Sequence, residues 1–199
     1  MNREVPGARG TETGYAQGVA PENEAFSRLV AELDYAMYIV TTAAEGERAG
    51  CLVGFATQTS IEPSRFTVWL SDANRTAQIA AHASTFVVHV LREGDLHLAR
   101  HFGGETGDDV DKFASVPHRE GPDGVPVLTQ CDWFAGRVVA RMTGAGDHTA
   151  YVLEPIDGER RHAGRSTLGF QRVRHVSAGH PAGQARPVRA EERVPRRAS

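Results

Sequence analysis

Apolar and polar positions along this chain change their rhythm after the first forty residues. After an opening rich in Gly, Glu and Thr, Pro21-Glu22-Asn23-Glu24 leads into Phe26, Leu29, Val30 and Leu33 at helical spacing. That stripe predicts a helix able to cap one end of a barrel. From residue 36 to 42 the run Ala-Met-Tyr-Ile-Val-Thr-Thr reads as a strand, Glu45-Gly46-Glu47-Arg48 as a turn, and residues 49–61 as a second long strand. Pro63 ends that run, and Phe66-Thr67-Val68-Trp69-Leu70 supplies a third strand.

Further along, Asn74 can cap a short helix through Arg75, Ala77, Ile79 and Ala80, before a strand of branched and apolar residues at 85–91. A second short helix is predicted at 96–102. Strands are then predicted at 134–142, 149–153 and 168–176, with Gly144, Gly146, Asp157 and Gly158 as turn residues. Six or seven strands with few helices predict a mostly β chain folded as an antiparallel barrel, which removes exposed sheet edges. One folded domain is expected at 21–179, between poorly ordered ends at 1–20 and 180–199, where Pro, Ala and Arg replace apolar periodicity.

Composition narrows the partners. With 199 residues and 40% hydrophobic content, the chain is large enough for one core. A net charge of −3 argues against a polyanion as partner, so neither nucleic acid nor an anionic membrane is expected. No apolar run approaches the ~20 residues of a membrane span, and the first residues lack the apolar core of a secretory signal, so a cytoplasmic location is expected. Cys51 and Cys131 stand in apolar contexts without CxxC spacing and read as buried thiols. Lys112 is the single lysine, which leaves arginine to make almost every positive contact.

Four ordered segments then carry a resemblance. Residues 50–63, Gly-Cys-Leu-Val-Gly-Phe-Ala-Thr-Gln-Thr-Ser-Ile-Glu-Pro, resemble the flavin reductase strand in which Thr-Ser precedes a Ser-Leu-Asp-Pro-Pro turn. Phe86-Val87-Val88-His89-Val90-Leu91 is similar to that family's Phe-Ala-Val-Asn-Val-Leu strand. Leu98-Ala99-Arg100-His101-Phe102 with Lys112-Phe113, and then Gly146-Asp147-His148, match its later markers. The resemblance implies an FMN-binding split β-barrel of Greek-key, antiparallel type and a homodimer with flavin near the subunit interface. It also implies FMN or FAD as cofactor, NADH or NADPH as reductant, and a partner monooxygenase that receives reduced flavin.

The residue types can be set against what a flavin requires, namely stacking, a dry face and donors along its polar edge. Under the resemblance, Thr57, Gln58, Thr59 and Ser60 offer hydroxyl, amide and backbone donors to that edge, with Thr57 and Thr59 on one face of the strand. Taken alone, a threonine-rich strand is ordinary β chemistry. Ser71, Asn74, Arg75 and Thr76 end a strand and open a helix, where side chains and free N–H groups suit the phosphate. His89 occupies the place of the family's frequent Asn. His148 is expected to orient the nicotinamide, because hydride transfer requires only that donor carbon and acceptor be held stacked at roughly 3–3.5 Å.

Lookalikes are set aside on chemistry. Gly103-Gly104-Glu105-Thr106-Gly107 lacks the Lys-Ser/Thr ending of a phosphate loop, and Asp108, Asp109 and Asp111 lack the offsets of a calcium loop. His97 and His101 share a helix face without a third ligand, so no metal is expected. Ser64 and the Leu52-Val53 pair depart from the family pattern. Besides a flavin reductase, the sequence admits a flavin carrier without nicotinamide turnover or an oxidoreductase using a deazaflavin-like cofactor.

Overall fold

The computed structural model describes residues 24–177 and 179. The chain falls into two compact units, Met1–Glu32 and Leu33–Ser199. In the first, α1 (Glu24–Glu32) has no buried residue, and Phe26 and Leu29 are 62% and 66% exposed.

The second unit begins its sheet with a two-residue hairpin. Glu45 and Gly46 both take positive φ, 54° and 80°, the backbone that matches the twist of paired strands, and they join β1 (Tyr38–Ala44) to β2 (Glu47–Val53). The other long strands are β3 (Ala56–Ser60), β4 (Arg65–Ser71), β5 (Thr85–Val90), β8 (Asp132–Met142) and β9 (His148–Glu159). They form one antiparallel sheet in the order β2-β1-β5-β8-β9-β4-β3.

The two outermost strands in that order, β2 and β3, are consecutive in the chain and separated only by Gly54 and Phe55. Three peptide units span at most about 11 Å. The sheet must therefore curl until its edges meet, and this closure makes the split barrel. The long strand expected at 49–61 is thus two strands with a corner. An added Cβ on Gly54 would lie 2.6 Å from the Tyr35 ring, so a larger residue does not fit there, and Phe55 O accepts from Trp69 N at 2.9 Å on the far side of the split.

Both faces of the central strands are covered. Val40, Phe86 and Val88 point into the barrel with Val68, Leu70, Tyr151 and Leu153, whereas Ile39 and Leu91 face an outer cluster built on α3 (Leu96–Gly104). Burial on both faces explains why these strands read as continuous apolar runs. A short hairpin not predicted from the sequence, β6 (His118–Glu120) with β7 (Pro126–Leu128), turns at Pro122-Asp123-Gly124 and covers Trp133 and Val87 from outside.

The strand expected at 168–176 is not formed. Both neighbours of β1 are already taken by β2 and β5, so this segment crosses the sheet end with single bridges, Ala36 to Gly169 and Arg92 to Thr167, and then turns as a 3-10 helix at Phe170–Arg172. Asp34 holds that turn by accepting Gln171 N at 2.9 Å, and Tyr35 stacks on Phe170 at 4.9 Å. α2 (Arg75–Ala80) starts where predicted, with Asn74 Oδ1 accepting from Thr76 N at 2.9 Å.

Candidate functional site

The corner between β2 and β3 leaves an opening where the barrel is split. A cleft of about 260 Å³ is lined there by Tyr35, Leu52, Phe55, Ser71, Asn74, Asp147, His148 and Phe170, among others. A second cleft of about 170 Å³ shares Met37, Cys51, Leu52, Asn74 and Phe170 with it, and continues to Thr106 and Arg174. The two are one trough with a common apolar floor. One end is rimmed by aromatic rings, and the other is polar.

His148 stands at the aromatic end because β4 and β9 pair there, Ser71 opposite His148. Its ring lies 5.3 Å from that of Phe55, and its Nδ1 meets Asp147 Oδ1 at 2.7 Å. A carboxylate accepts and cannot donate, so Nδ1 carries the hydrogen and Nε2 is the nitrogen left for a ligand. The hydrogen bond to His148 holds the Asp147 carboxyl below its usual range, against the opposing effect of burial. The turn is itself tied down, since Asp147 O accepts from Asp72 N at 3.0 Å and Thr149 donates to Asp72 Oδ1 at 2.7 Å. Gly146-Asp147-His148 is thus a fixed mount.

Of the residues expected at the site, Ser71, Asn74 and His148 come together at this trough. Arg75 and Thr76 line a neighbouring crevice of about 330 Å³ with Glu47, Arg48, Asp108, Asp111 and Lys112. There Arg75 is ion-paired to Glu47 and lies 3.9 Å from Asp108, while Thr76 is buried with its N donating to Asn74 Oδ1. Cys51 and Cys131 are free and buried, and burial pushes Cys131 up to about 12. Lys112 is buried as well, donating to Gly50 O at 3.3 Å and Phe102 O at 2.9 Å.

Thr57, Gln58, Thr59 and Ser60 lie outside these clefts on the edge strand β3, mostly exposed, where Gln58 bonds to Ser60 O and Thr59 to Thr67. His89 is a correction. It is fully buried, its Nδ1 meets Ile39 O at 3.0 Å and its Nε2 accepts from Leu128 N at 2.9 Å, so both nitrogens serve the core and none reaches a ligand. Burial lowers its pKa to about 4, which keeps the ring neutral. Among the described residues no cluster of three or more His, Cys, Asp or Glu is placed to hold a metal.

Phe55, Asp147, Phe170 and Arg174 were not singled out as ligand contacts from the sequence. Phe55 and Asp147 stood inside quoted motifs, but Phe170 and Arg174 reach the trough only because their segment crosses the sheet end. The residues present suit a flavin: rings and the Leu52–Met37 floor for a planar heteroaromatic, and Asn74, Thr106 and Arg174 for a polar tail.

Comparison with known proteins agrees with this geometry. The chain is 29% identical over 175 residues to the FMN reductase (NADH) RutF of Ancylobacter novellus, covering 87% of this chain and 95% of that one. It is 28% identical over 130 residues to a ferric-chelate reductase (NAD(P)H) of Archaeoglobus fulgidus, covering 64% and 77%. Among solved structures, the Streptomyces globisporus NADH:FAD oxidoreductase SgcE6 with NAD and FAD fragments superimposes with a TM-score of 0.65 at 25% identity, over 78% of this chain and 92% of that one. The family model of the flavin reductase like domain matches residues 30–179, and the chain belongs to that family.

Proposed function

We propose that the protein is a flavin oxidoreductase that binds FMN, or FAD in its place, in the trough at the barrel split and lets NADH or NADPH reduce it. The supporting observation is the junction of an apolar, aromatic-rimmed trough with the fixed Asp147-His148 mount, in a chain whose relatives include an FMN reductase. The flavin, when bound, supplies the hydride-accepting ring. This chain's residues do the rest. Leu52, Met37 and Phe170 exclude water from one face, Ser71 and Asn74 offer polar contacts, and Phe55 with His148 borders the face that a nicotinamide approaches.

His148 is the orienting residue in this reading, and Asp147 fixes its ring. The exposed edge strand β3, with Thr57, Gln58, Thr59 and Ser60, and the 82%-exposed Ile61 beyond it suit covering by a second copy of the chain. A homodimer in which those residues reach flavin across the interface follows, checked by light scattering. Reduced flavin would pass to a flavin-dependent monooxygenase in the cytoplasm.

The test is the absorption spectrum of the purified protein with FMN, followed by anaerobic NADH or NADPH. Flavin uptake and bleaching are expected, and a protein that takes up no flavin overturns the proposal. His148→Ala should slow bleaching in stopped flow while leaving FMN affinity nearly unchanged. Flavin bound but never reduced would favour the carrier reading.

A further inference from the structure

Four cations among the described residues line the trough and the crevice beside it: Arg48, Arg75, Lys112 and Arg174. Three are already committed. Arg48 bonds to Asp111 Oδ2 at 3.0 Å, Arg75 is paired with Glu47, and Lys112 spends donors on the Gly50 and Phe102 carbonyls. The crevice that holds these three also presents Glu47, Asp108, Asp109 and Asp111, four carboxylates against three cations. A phosphate entering there would meet net negative charge and would have to strip Arg75 from its partner.

Arg174 differs. Its Nη1 donates to the neutral amide oxygen of Gln171 at 3.1 Å, and no carboxylate pairs with it among the described residues. It lines the polar end of the trough with Asn74 and Thr106. Glu105 is the one acid lining that end, and its Oε2 faces His101 Nδ1 at 3.2 Å. The backbone under Arg174 is fixed, since Val173 is buried, Val173 N bonds to Phe170 O at 2.9 Å, and Asp34 anchors Gln171. A guanidinium with unspent donors on an anchored stem is the arrangement that phosphomonoester recognition requires.

We propose that Arg174, with Asn74 and Thr106 beside it, binds the flavin's 5′-phosphate, so that the ring occupies the His148 end of the trough and the phosphate the Arg174 end. This assignment rests on the flavin reading above and gives it a direction. It moves the phosphate cation from Arg75, where the sequence placed it, to a residue from the segment after the last sheet strand.

The experiment is fluorescence titration of FMN and of riboflavin against the parent, Arg174→Ala, Arg174→Lys and Arg75→Ala, with melting curves as the folding control. Arg174→Ala should weaken FMN about 10- to 100-fold and riboflavin hardly at all, and Arg174→Lys should recover part of the loss. Arg75→Ala should change both by less than about twofold, since its charge is already neutralised by Glu47. Equal effects of Arg174→Ala on the two ligands overturn the assignment, as does a selective FMN loss in Arg75→Ala instead. Unchanged FMN affinity with a lost preference for NADPH over NADH overturns it too, giving the residue to the nicotinamide's phosphate. A parent that binds neither FMN nor riboflavin overturns the flavin reading, and this assignment falls with it; a parent that binds FMN while Arg174→Ala is silent overturns this assignment alone.

Discussion

The trough and the charged crevice share the segment Asn74-Arg75-Thr76 and the nearby strand β2, yet they are opposite kinds of opening. The crevice holds seven charged side chains, but its cations are paired or spent on carbonyls. The trough carries few charges, and those at its ends, the Asp147-His148 mount and Arg174, have polar atoms left to offer. Charge density is therefore a poor guide to a binding site here. What counts is the number of donors and acceptors that folding has left unused, because a ligand must otherwise displace an existing partner and lose part of its binding energy to that exchange.

The largest effect is expected in the packing beneath both openings. Phe102 is 1% exposed, forms a T-shaped contact with Phe113 at 5.7 Å on the crevice side, and lines the trough on the other. Phe102→Ala should cost about 3–5 kcal/mol of unfolding free energy and weaken both structures together. Denaturant unfolding reads this directly; a loss below about 1 kcal/mol would mean that the two openings do not depend on one floor.

Lys112 separates them. Lys112→Met leaves the Gly50 and Phe102 carbonyls without their donor and should cost about 1–3 kcal/mol, with FMN affinity unchanged. The pH dependence has a definite sign. Burial lowers the Lys112 ammonium below its ordinary 10.5, so the unfolded chain binds its proton more tightly than the folded one. The parent should gain stability as pH rises through the lowered folded value toward 10.5, and the Met variant should lack that gain. Loss of FMN binding in Lys112→Met would instead place the ligand in the crevice.

The smallest effect is expected at the trough's own mount. Asp147→Asn keeps the shape of the side chain but removes the carboxylate that fixes Nδ1–H of His148, so reduction by nicotinamide should slow by about tenfold. FMN affinity and melting temperature should stay near the parent's. An equal fall in flavin affinity would make the pair a flavin ligand rather than an orienting group.

Much of the frame was legible because it is written in local chemistry. The β1–β2 turn stood out within Glu45-Gly46-Glu47-Arg48, the α2 cap as Asn74, and the turn before β9 as Gly146-Asp147-His148, each a short pattern whose geometry depends on its own residues. The break at Gly54-Phe55 was missed because Gly-Phe inside an apolar run carries no turn signal. Only the approach of Tyr35, nineteen positions earlier, makes glycine necessary there. The strand expected at 168–176 failed for a similar reason, since β2 and β5 already occupy both sides of β1, the strand whose end it crosses.

By itself, then, the sequence determined the β-rich architecture, the element boundaries near turns and caps, and the family to which the chain belongs. The tertiary structure decided which polar groups were still available once the chain had folded. Arg75 and Arg174 are the same residue type, each beside a cleft, and local sequence favours Arg75 as the phosphate ligand because it opens a capped helix. Folding brings Glu47, on a strand remote in sequence, onto Arg75 and leaves Arg174 with an uncharged partner. Likewise it seals both nitrogens of His89 against backbone while leaving Nε2 of His148 at the trough. Ion pairs and hydrogen bonds between distant segments are set by the closure of the barrel, and it is their satisfaction, residue by residue, that turns a side chain into structure or leaves it for function.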